Sequence, residues 1–437
     1  MNTEPTTRST PVPGQRRAAR TSAAEVLDPV LHEVFAGPPP FGLSLWDGSA
    51  TGPADGPRVL VRHRRALRRL LWQPGELGLA DAWISGELDV EGDLGEALSA
   101  VRRGLAGRTV GRLAPRSWPG LLSAAARLGV VGPPPPRPGG RAKVRGALHS
   151  RGRDRAVISH HYDLSNEFYA LLLGPAMAYS CAYYTSDDQP LQAAQEAKFD
   201  LICRKLDLRP GTRLLDVGCG WGALARHAAV HHGARVTAVT LSARQHAHAR
   251  ALVAEAGVAD LVDVRRCDYR EIAADAYDAV SCVEMGEHVG RDQYPDFAAR
   301  LHALLRPGGR LLVQQMSRGV AASGGGAFIE AYIAPDMHMR PLGQTVDLIE
   351  DAGLEVLHTE AMRPHYARTI DAWRTTLTQH RDRFTALVGR PTVRLWELYL
   401  AGSSLAFAEG RMGVDQILAR RPDDTGAIVR PSEWSTA

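Results

Sequence analysis

Three glycines at alternate positions, Gly218, Gly220 and Gly222, give the clearest chemical signal in this sequence. A short apolar run beginning at Arg213 precedes them, and alanines and leucines at helical spacing follow them. This order of strand, turn and helix is the one that nucleotide-binding α/β units use. Glycine lets the backbone come close to a ligand, and the start of a helix offers unpaired amides. The pattern predicts a cofactor at this turn, with helix packing alone as the alternative.

The ends of the next two strands indicate which cofactor is bound. A dinucleotide-binding fold usually places an acid after its second strand, but this chain has Thr240 and Ser242 there. The third strand, 261–266, is followed by Asp268 and Tyr269, whose carboxylate and ring are suited to holding an adenine. Both features disfavour NAD.

Three separated motifs resemble a known family. The runs 214–222 (Leu-Leu-Asp-Val-Gly-Cys-Gly-Trp-Gly), 239–245 (Val-Thr-Leu-Ser-x-x-Gln) and 284–290 (Glu-Met-Gly-Glu-His-Val-Gly) are similar to the S-adenosylmethionine site of the cyclopropane-fatty-acyl-phospholipid synthases and mycolic acid cyclopropane synthases. The resemblance extends from about residue 160 to about residue 420. A weaker likeness links the N-terminal part to the bacterial phospholipid enzymes.

The resemblance implies that S-adenosylmethionine is the cofactor. Segments 160–169 and 178–184 are then expected to close over it. The residues predicted to bind it are Tyr179, Ser180, Asp216, Gly218, Cys219, Gly220, Trp221, Gly222, Thr240, Leu241, Ser242, Gln245, Asp268 and Tyr269.

The family's chemistry needs a site that tolerates positive charge. When an alkene attacks the methyl group of a sulfonium donor it leaves a carbocation, so the site must exclude water and later remove a proton. In the family a bicarbonate ion is that base. Its cradle carries over onto Cys181, Glu287 and Tyr399, with Met316 contributing its backbone.

One position departs from the cyclopropane synthases. They commonly carry a His-Thr pair after the fifth strand, whereas this chain has Gln314 and Gln315. An amide can hold an anion but cannot take up a proton near neutral pH as histidine can. We therefore count Gln314 among the catalytic residues. The departure resembles the actinobacterial branch that makes 10-methylene acyl chains, so a methylene product is favoured over a ring, and a separate reductase is an expected partner.

Alternating strands and helices after residue 213 predict a doubly wound α/β sheet of the class I methyltransferase, Rossmann-like type. The largely helical stretch from Phe328 to about Phe407 is predicted to roof the substrate site. The predicted divisions are a disordered tail (1–23), a small N-terminal α+β domain (24–105), a basic Pro/Gly-rich linker (106–156) and the catalytic domain (157–425).

Charge is concentrated in the linker region. The chain has a net charge of +4, yet residues 102–153 contain many arginines and no acid. A solubilising linker is one interpretation. Attraction to anionic lipid is the other, and we favour it over nucleic acid because no recognition motif accompanies the charge. The apolar run 118–128 is suited to a bilayer interface.

Composition indicates whether the protein binds metal and in which compartment it works. The five cysteines show no metal-binding spacing with the histidines, so no metal is predicted and a reducing cytoplasm is favoured. Residues 1–20 lack an apolar signal core, and no apolar run is long enough to span a membrane. The expected protein is cytoplasmic and lies at the inner face of the membrane. Its expected partners are an unsaturated acyl phospholipid and a second copy of the chain.

Two other functions remain open. Some small-molecule amine N-methyltransferases share the Glu-x-x-Glu-His pattern, which here spans Glu284 to His288. A catalytically inactive subunit that only binds S-adenosylmethionine is the second alternative.

Overall fold

The computed structural model describes residues 21–105, 118–141, 146, 149–150, 152–153, 164–274, 277–319 and 324–423. Within them the strands form two sheets. A four-stranded sheet lies in the N-terminal part, in the order β2-β1-β3-β4, and a seven-stranded sheet forms the centre of the catalytic part, in the order β10-β11-β9-β8-β5-β6-β7. The strands are β1 Gly42–Ser44, β2 Ala50–Thr51, β3 Arg58–Val61, β4 Leu88–Val90, β5 Arg213–Val217, β6 Arg235–Val239, β7 Val262–Arg265, β8 Tyr277–Val283, β9 Leu305–Arg318, β10 Glu355–Ala361 and β11 Met412–Arg420.

Helices cover both faces of the large sheet. Its strands from β9 to β7 are parallel, whereas β11 runs antiparallel to both β9 and β10. The helices of the catalytic part are α6 Asn166–Leu173, α7 Leu191–Lys205, α8 Ala223–His232, α9 Ala243–Glu255, α10 Tyr294–Leu304, α11 Ala327–Tyr332, α12 Leu342–Asp351, α13 Arg363–Gln379, α14 Arg381–Val388 and α15 Arg390–Ala408. The predicted Rossmann-like α/β fold with a helical insertion is confirmed.

Parallel strands explain where the site lies. The strands β5 and β8 have neighbouring strands on both edges and helices on both faces, so their residues are buried almost throughout. The carboxyl ends of β5, β6 and β8 meet at one edge of the sheet. Ligands of open α/β sheets bind at this edge.

The N-terminal part combines the four-stranded sheet with helices. These are α1 Ala23–Val34, α2 Arg65–Trp72, α3 Glu76–Ile84 and α4 Leu94–Leu105. The helix α1 begins at a capping box formed by Ser22 and Glu25. Trp83 on α3 donates its indole N–H to the carbonyl of Arg394 on α15 at 2.8 Å, and the Arg394 guanidinium donates back to the carbonyl of Trp83. The N-terminal part is therefore fastened to the helical insertion.

The described part of the basic stretch is packed against the N-terminal helices. Its helix α5, Trp118–Arg127, contacts α1. Beyond it, Arg68 donates to the carbonyls of Gly129 and Val130, and Arg69 donates to the carbonyl of Pro136. Parts of the predicted linker lie outside the described residues, namely 106–117, 142–145, 147–148, 151 and 154–156. So do residues 1–20 of the predicted tail and residues 160–163 of the predicted cofactor-closing segment 160–169. The division into four parts stays a prediction.

One arginine of the basic stretch, Arg141, forms an ion pair with a buried carboxylate. Arg141 donates to Asp81, at 2.5 Å, and to the hydroxyl of Tyr332, which itself donates to Asp81 at 2.6 Å. Asp81 is 3% exposed. This cluster joins α3, the basic stretch and α11, so Arg141 holds the protein's parts together and is not free to meet a lipid surface.

Among the helices of the described ranges, we find none with the length and apolar character needed to cross a bilayer.

Candidate active site

The glycine turn lies between β5 and α8, beside the end of β6. The backbone amides of Gly218 and Cys219 both donate to the carbonyl of Val239, at 3.0 Å. Gly220 has a φ of +54°, and a Cβ added to it would meet no heavy atom within 4 Å. Gly220 therefore faces open space, where a ligand can approach the backbone.

Most of the residues predicted to bind the cofactor line one cleft at this edge of the sheet. Gly222 and Ser242 do not. A Cβ on Gly222 would lie 2.8 Å from the Cβ of Ala249, so this glycine allows α8 and α9 to pack closely. Ser242 caps α9 by accepting from the amide of Gln245. The predicted residues that line the cleft are Tyr179, Ser180, Asp216, Gly218, Cys219, Gly220, Trp221, Thr240, Leu241, Gln245, Asp268 and Tyr269.

Asp216, at the end of β5, presents an unused acceptor in this cleft. Its Oδ1 accepts from the Ser281 hydroxyl at 2.9 Å, while its buried Oδ2 has no hydrogen-bond partner among the described residues. Burial raises the pKa of Asp216 to about 6, and Lys198 offsets part of that rise. A buried acceptor without a partner is costly, so a donor on a bound ligand would stabilise it. With the open space at Gly220, this fits the binding of S-adenosylmethionine.

The ends of β6 and β7 also carry the polar groups that the sequence predicts. The Thr240 hydroxyl donates to the Gln245 side chain at 2.8 Å, and both residues are buried. Asp268 receives two hydrogen bonds from the Arg270 guanidinium, at 2.8 and 2.6 Å. Its carboxylate is thus already oriented at the wall of the cleft.

A second carboxylate, Glu284, lies at the end of β8 and receives hydrogen bonds from three separate elements. The backbone N–H of Cys181 and the Gln314 amide both donate to its Oε1 at 2.8 Å, and the Tyr366 hydroxyl donates to its Oε2 at 2.6 Å. Glu284 also lines the cofactor cleft. It joins the proposed methyl-donor site to the residues predicted to be catalytic.

The four predicted catalytic residues lie behind this carboxylate and do not line the cleft themselves. Cys181 contributes its backbone amide, and burial raises the pKa of its thiol well above its ordinary value. The side-chain oxygen of Gln314 accepts a hydrogen bond from the side-chain NH2 of Gln416 at 2.9 Å. The side-chain oxygen of Gln416 in turn accepts from the Lys205 ammonium at 2.6 Å. This chain of contacts fixes the Gln314 amide so that its NH2 faces Glu284.

Glu287 is 1% exposed, and neither of its carboxylate oxygens has a hydrogen-bond partner among the described residues. Burial, followed by the charge of Glu284, raises the pKa of Glu287 to about 8, although the backbone of Met316 and the Arg340 guanidinium act in the opposite direction. Near pH 7 Glu287 is therefore mainly protonated. Burial also raises the pKa of Glu284, but its three hydrogen-bond donors and Lys198 lower it.

Tyr399 belongs to an aromatic wall around the carboxylates. Its hydroxyl accepts from the Tyr179 hydroxyl at 2.8 Å, and burial raises its pKa to about 12. The Tyr179 ring centroid lies 5.3 Å from that of Trp373, and the Tyr399 ring lies 5.5 Å from that of Trp396. Aromatic faces stabilise a nearby cation.

The sequence reasoning did not assign roles to Glu284 or Tyr366. Glu284 belongs to one of the quoted motifs and follows an apolar strand directly. That position alone could have predicted a functional side chain at the end of a central strand. Tyr366 lies on α13, far along the chain, and no local pattern links it to the site.

A separate group of possible metal ligands lies between α7 and α8. The ligand atoms of Cys203, His227 and His232 are within 4.8 Å of one another. Their spacing in the sequence gave no sign of this. None of the three lines the cofactor cleft.

Fold and site together define a class I S-adenosylmethionine-dependent methyltransferase. The family model "mycolic acid cyclopropane synthetase" matches residues 149–417, and the chain belongs to that family.

Two curated relatives from Mycobacterium tuberculosis match most of the chain. One is a probable fatty acid methyltransferase, Rv3720, with 39% identity over 93% of this chain and 96% of its own length. The other is the tuberculostearic acid methyltransferase UfaA1, with 34% identity over 86% of this chain and 87% of its own. Among solved structures, mycolic acid cyclopropane synthase CmaA1 complexed with SAH and CTAB is 31% identical, with a TM-score of 0.58, over 61% of this chain and 98% of that one.

Proposed function

We propose that this protein transfers the methyl group of S-adenosylmethionine to the cis double bond of an unsaturated acyl chain in a phospholipid. The observation that carries the proposal is the pair of buried carboxylates that follows β8, Glu284 and Glu287, beside an aromatic wall. Such a wall suits a carbocation, whereas an amine methyl acceptor would need only a base at its nitrogen. The relatives named as fatty acid methyltransferases agree with this substrate class.

The chain's own residues hold the reactants and exclude water. S-Adenosylmethionine, when bound, supplies an electrophilic methyl group on a cationic sulfur. The predicted cofactor-binding residues would hold it in the cleft that Glu284 also lines, and the aromatic residues around Tyr179 and Trp373 would keep water from the reacting carbons. We infer that the product is methylene-branched and that a separate reductase, supplying a hydride, makes the methyl branch. We also propose that the active form is a homodimer.

The resemblance implies a bicarbonate base, and the described contacts do not fit a separate bicarbonate. The amide of Cys181, which was assigned to its cradle, already donates to Glu284. The side chain of Gln314, whose amide was expected to be able to hold an anion, donates to Glu284 as well. We therefore place no step through a bound bicarbonate.

The product assay tests the proposed reaction. Purified protein, S-adenosylmethionine and oleoyl phospholipid vesicles should yield an acyl chain heavier by one CH2. Ozonolysis then separates the two products, since an exocyclic methylene is cleaved to a ketone and a ring survives. A product containing only rings would contradict the methylene inference alone.

A matched pair of variants controls this assay. Gly220→Val places a branched side chain in the open space of the cleft and should abolish cofactor binding and product. Gly257→Val imposes a similar left-handed backbone strain at φ +70°, at an exposed site away from the cleft, and should leave both unchanged.

Methylation of a small amine in place of the lipid would favour the N-methyltransferase alternative. Cofactor binding with no methyl acceptor at all would favour the inactive subunit.

We propose that the protein meets its substrate at the inner face of the membrane through the end of α2. Leu71 and Trp72 are 53% and 57% exposed, and Val131, 60% exposed, follows the segment held by Arg68. The Trp72 indole donates to the carbonyl of Gly132 at 2.9 Å, which keeps these apolar side chains together. Apolar groups beside arginines suit an anionic lipid surface.

Replacing both Leu71 and Trp72 by serine should weaken binding to anionic vesicles about tenfold or more, because the loss of about 1.4 kcal/mol of apolar burial corresponds to one factor of ten. Sedimentation with vesicles of rising anionic lipid content measures the effect, and added salt should reduce binding of the unaltered protein. Val230→Ser, at a 43% exposed position on α8, is the control. Equal binding by all three proteins would contradict the proposal.

A further inference from the structure

Glu284 accepts hydrogen bonds from groups that the sequence predicts at an external anion. Its carboxylate accepts from the Cys181 amide, the Gln314 amide and the Tyr366 hydroxyl, at 2.8, 2.8 and 2.6 Å. The Cys181 donor was assigned to the bicarbonate cradle, the Gln314 amide is a group able to hold an anion, and the Tyr366 hydroxyl comes from the helical roof. Burial raises the pKa of Glu284, and the three donors act in the opposite direction by stabilising its charged form. These donors therefore already face a carboxylate of the chain.

The backbone at Glu284 is bent to place this carboxylate. Its φ is +51°, a left-handed conformation that residues other than glycine rarely adopt. Its backbone N–H also donates to the backbone carbonyl of Gln314 at 2.6 Å, which fixes this part of the backbone against β9. Such strain costs on the order of 1 to 3 kcal/mol and is retained mainly at functional sites.

We propose that Glu284 is the base of the reaction and takes the place of a bound bicarbonate, an inference that rests on the proposed function. The alkene electron pair forms the new bond to the methyl carbon as the bond from carbon to sulfur breaks, which leaves a cation on the neighbouring acyl carbon. A hydride then moves from the methylated carbon to that neighbour. Glu284 removes a proton from the added methyl, and the electrons of that C–H bond form the methylene double bond.

The charge distribution favours Glu284 over Glu287 as the acceptor. Glu284 has three hydrogen-bond donors and lines the cleft, whereas Glu287 has none among the described residues and does not line it. The buried Lys198, which also lines the cleft, favours the charged form of Glu284. Protonated Glu287 lets the pair keep one negative charge through methyl transfer.

This assignment accounts for glutamine at position 314. The side chain there only needs to donate to Glu284, since the carboxylate itself accepts the proton. Gln416 and Lys205 hold the amide in the donating orientation. A histidine is not required for proton handling.

The test compares the unaltered protein with Glu284→Gln and Glu284→Ala in carbonate-free buffer, with and without added bicarbonate or formate. The unaltered protein should form lipid product at the same rate in both buffers. Both variants should lose about 10² to 10⁴ in turnover, the usual contribution of a positioned base. Bicarbonate or formate should partly restore Glu284→Ala, which has space for them, and should not restore Glu284→Gln.

A binding measurement separates this inference from the proposed function. Isotopically labelled bicarbonate, followed by NMR, should not bind the unaltered protein and should bind Glu284→Ala, whatever the lipid product is. Retained affinity for S-adenosylhomocysteine shows that the variants are folded. Bicarbonate binding to the unaltered protein, or a bicarbonate requirement for its turnover, would overturn the inference.

Discussion

The Glu287→Gln variant is expected to gain stability relative to the unaltered protein as the pH rises from 4.5 to about 8. The folded protein raises the pKa of Glu287 from 4.5 to about 8, mainly through burial. Below pH 4.5 the carboxyl is protonated in both the folded and the unfolded states. Between the two values the unfolded chain releases a proton that the folded protein keeps, so the stability of the unaltered protein falls with rising pH. Glutamine has no such proton to lose.

Between pH 4.5 and about 8, the free energy of unfolding of Glu287→Gln should rise by roughly 4 to 5 kcal/mol relative to that of the unaltered protein, at about 1.36 kcal/mol per pH unit. Urea unfolding at a series of pH values measures it. Glu350→Gln, at an exposed position on α12, is the matched control and should unfold in parallel with the unaltered protein. If Glu287→Gln also gave a parallel curve, Glu287 would be ionised in the folded protein, and the assignment of the pair's charge to Glu284 alone would be wrong.

The site shows which parts of such a protein can be predicted from its sequence. The glycine turn and the polar residues after β6 and β7 were predictable because a strand that ends at the ligand edge carries its chemistry in the next few residues. Gly222 and Ser242 show the limit of this reasoning. They belong to the same motifs, but one allows two helices to approach and the other caps a helix.

The role of Glu284 depends on information that no local pattern contains. Its donors come from segments 103, 30 and 82 residues away along the chain. Its left-handed backbone is a further feature that a glutamate in a sequence does not reveal. The sequence resemblance drew attention to Cys181 and Gln314, but only the fold shows that both groups face a side chain of the same protein.

The roles of the arginines in the basic stretch also depend on tertiary contacts. A run of arginines without acids indicates attraction to anions only when the side chains are free. Arg141 instead finds Asp81, which is distant in sequence and buried, whereas Arg137 is exposed. The two arginines are only four positions apart, and their different roles follow from tertiary contacts alone.

Arg141 is expected to contribute much more than Arg137 to the stability of the protein. Arg141→Gln should lower the free energy of unfolding by roughly 3 kcal/mol, because it leaves the buried carboxylate of Asp81 without its charged partner. Asp81 would lose its guanidinium, and the hydroxyl of Tyr332 would remain as its donor.

Arg137→Gln makes the same substitution at an exposed position of the same segment and should change stability by less than about 0.5 kcal/mol. Urea unfolding of both variants provides the comparison. Asp81→Asn together with Arg141→Gln should be less destabilised than the sum of the two single changes, since neither partner is then left charged and alone. Equal, small effects of Arg141→Gln and Arg137→Gln would show that the cluster of Asp81, Arg141 and Tyr332 does not hold the N-terminal part, the basic stretch and α11 together.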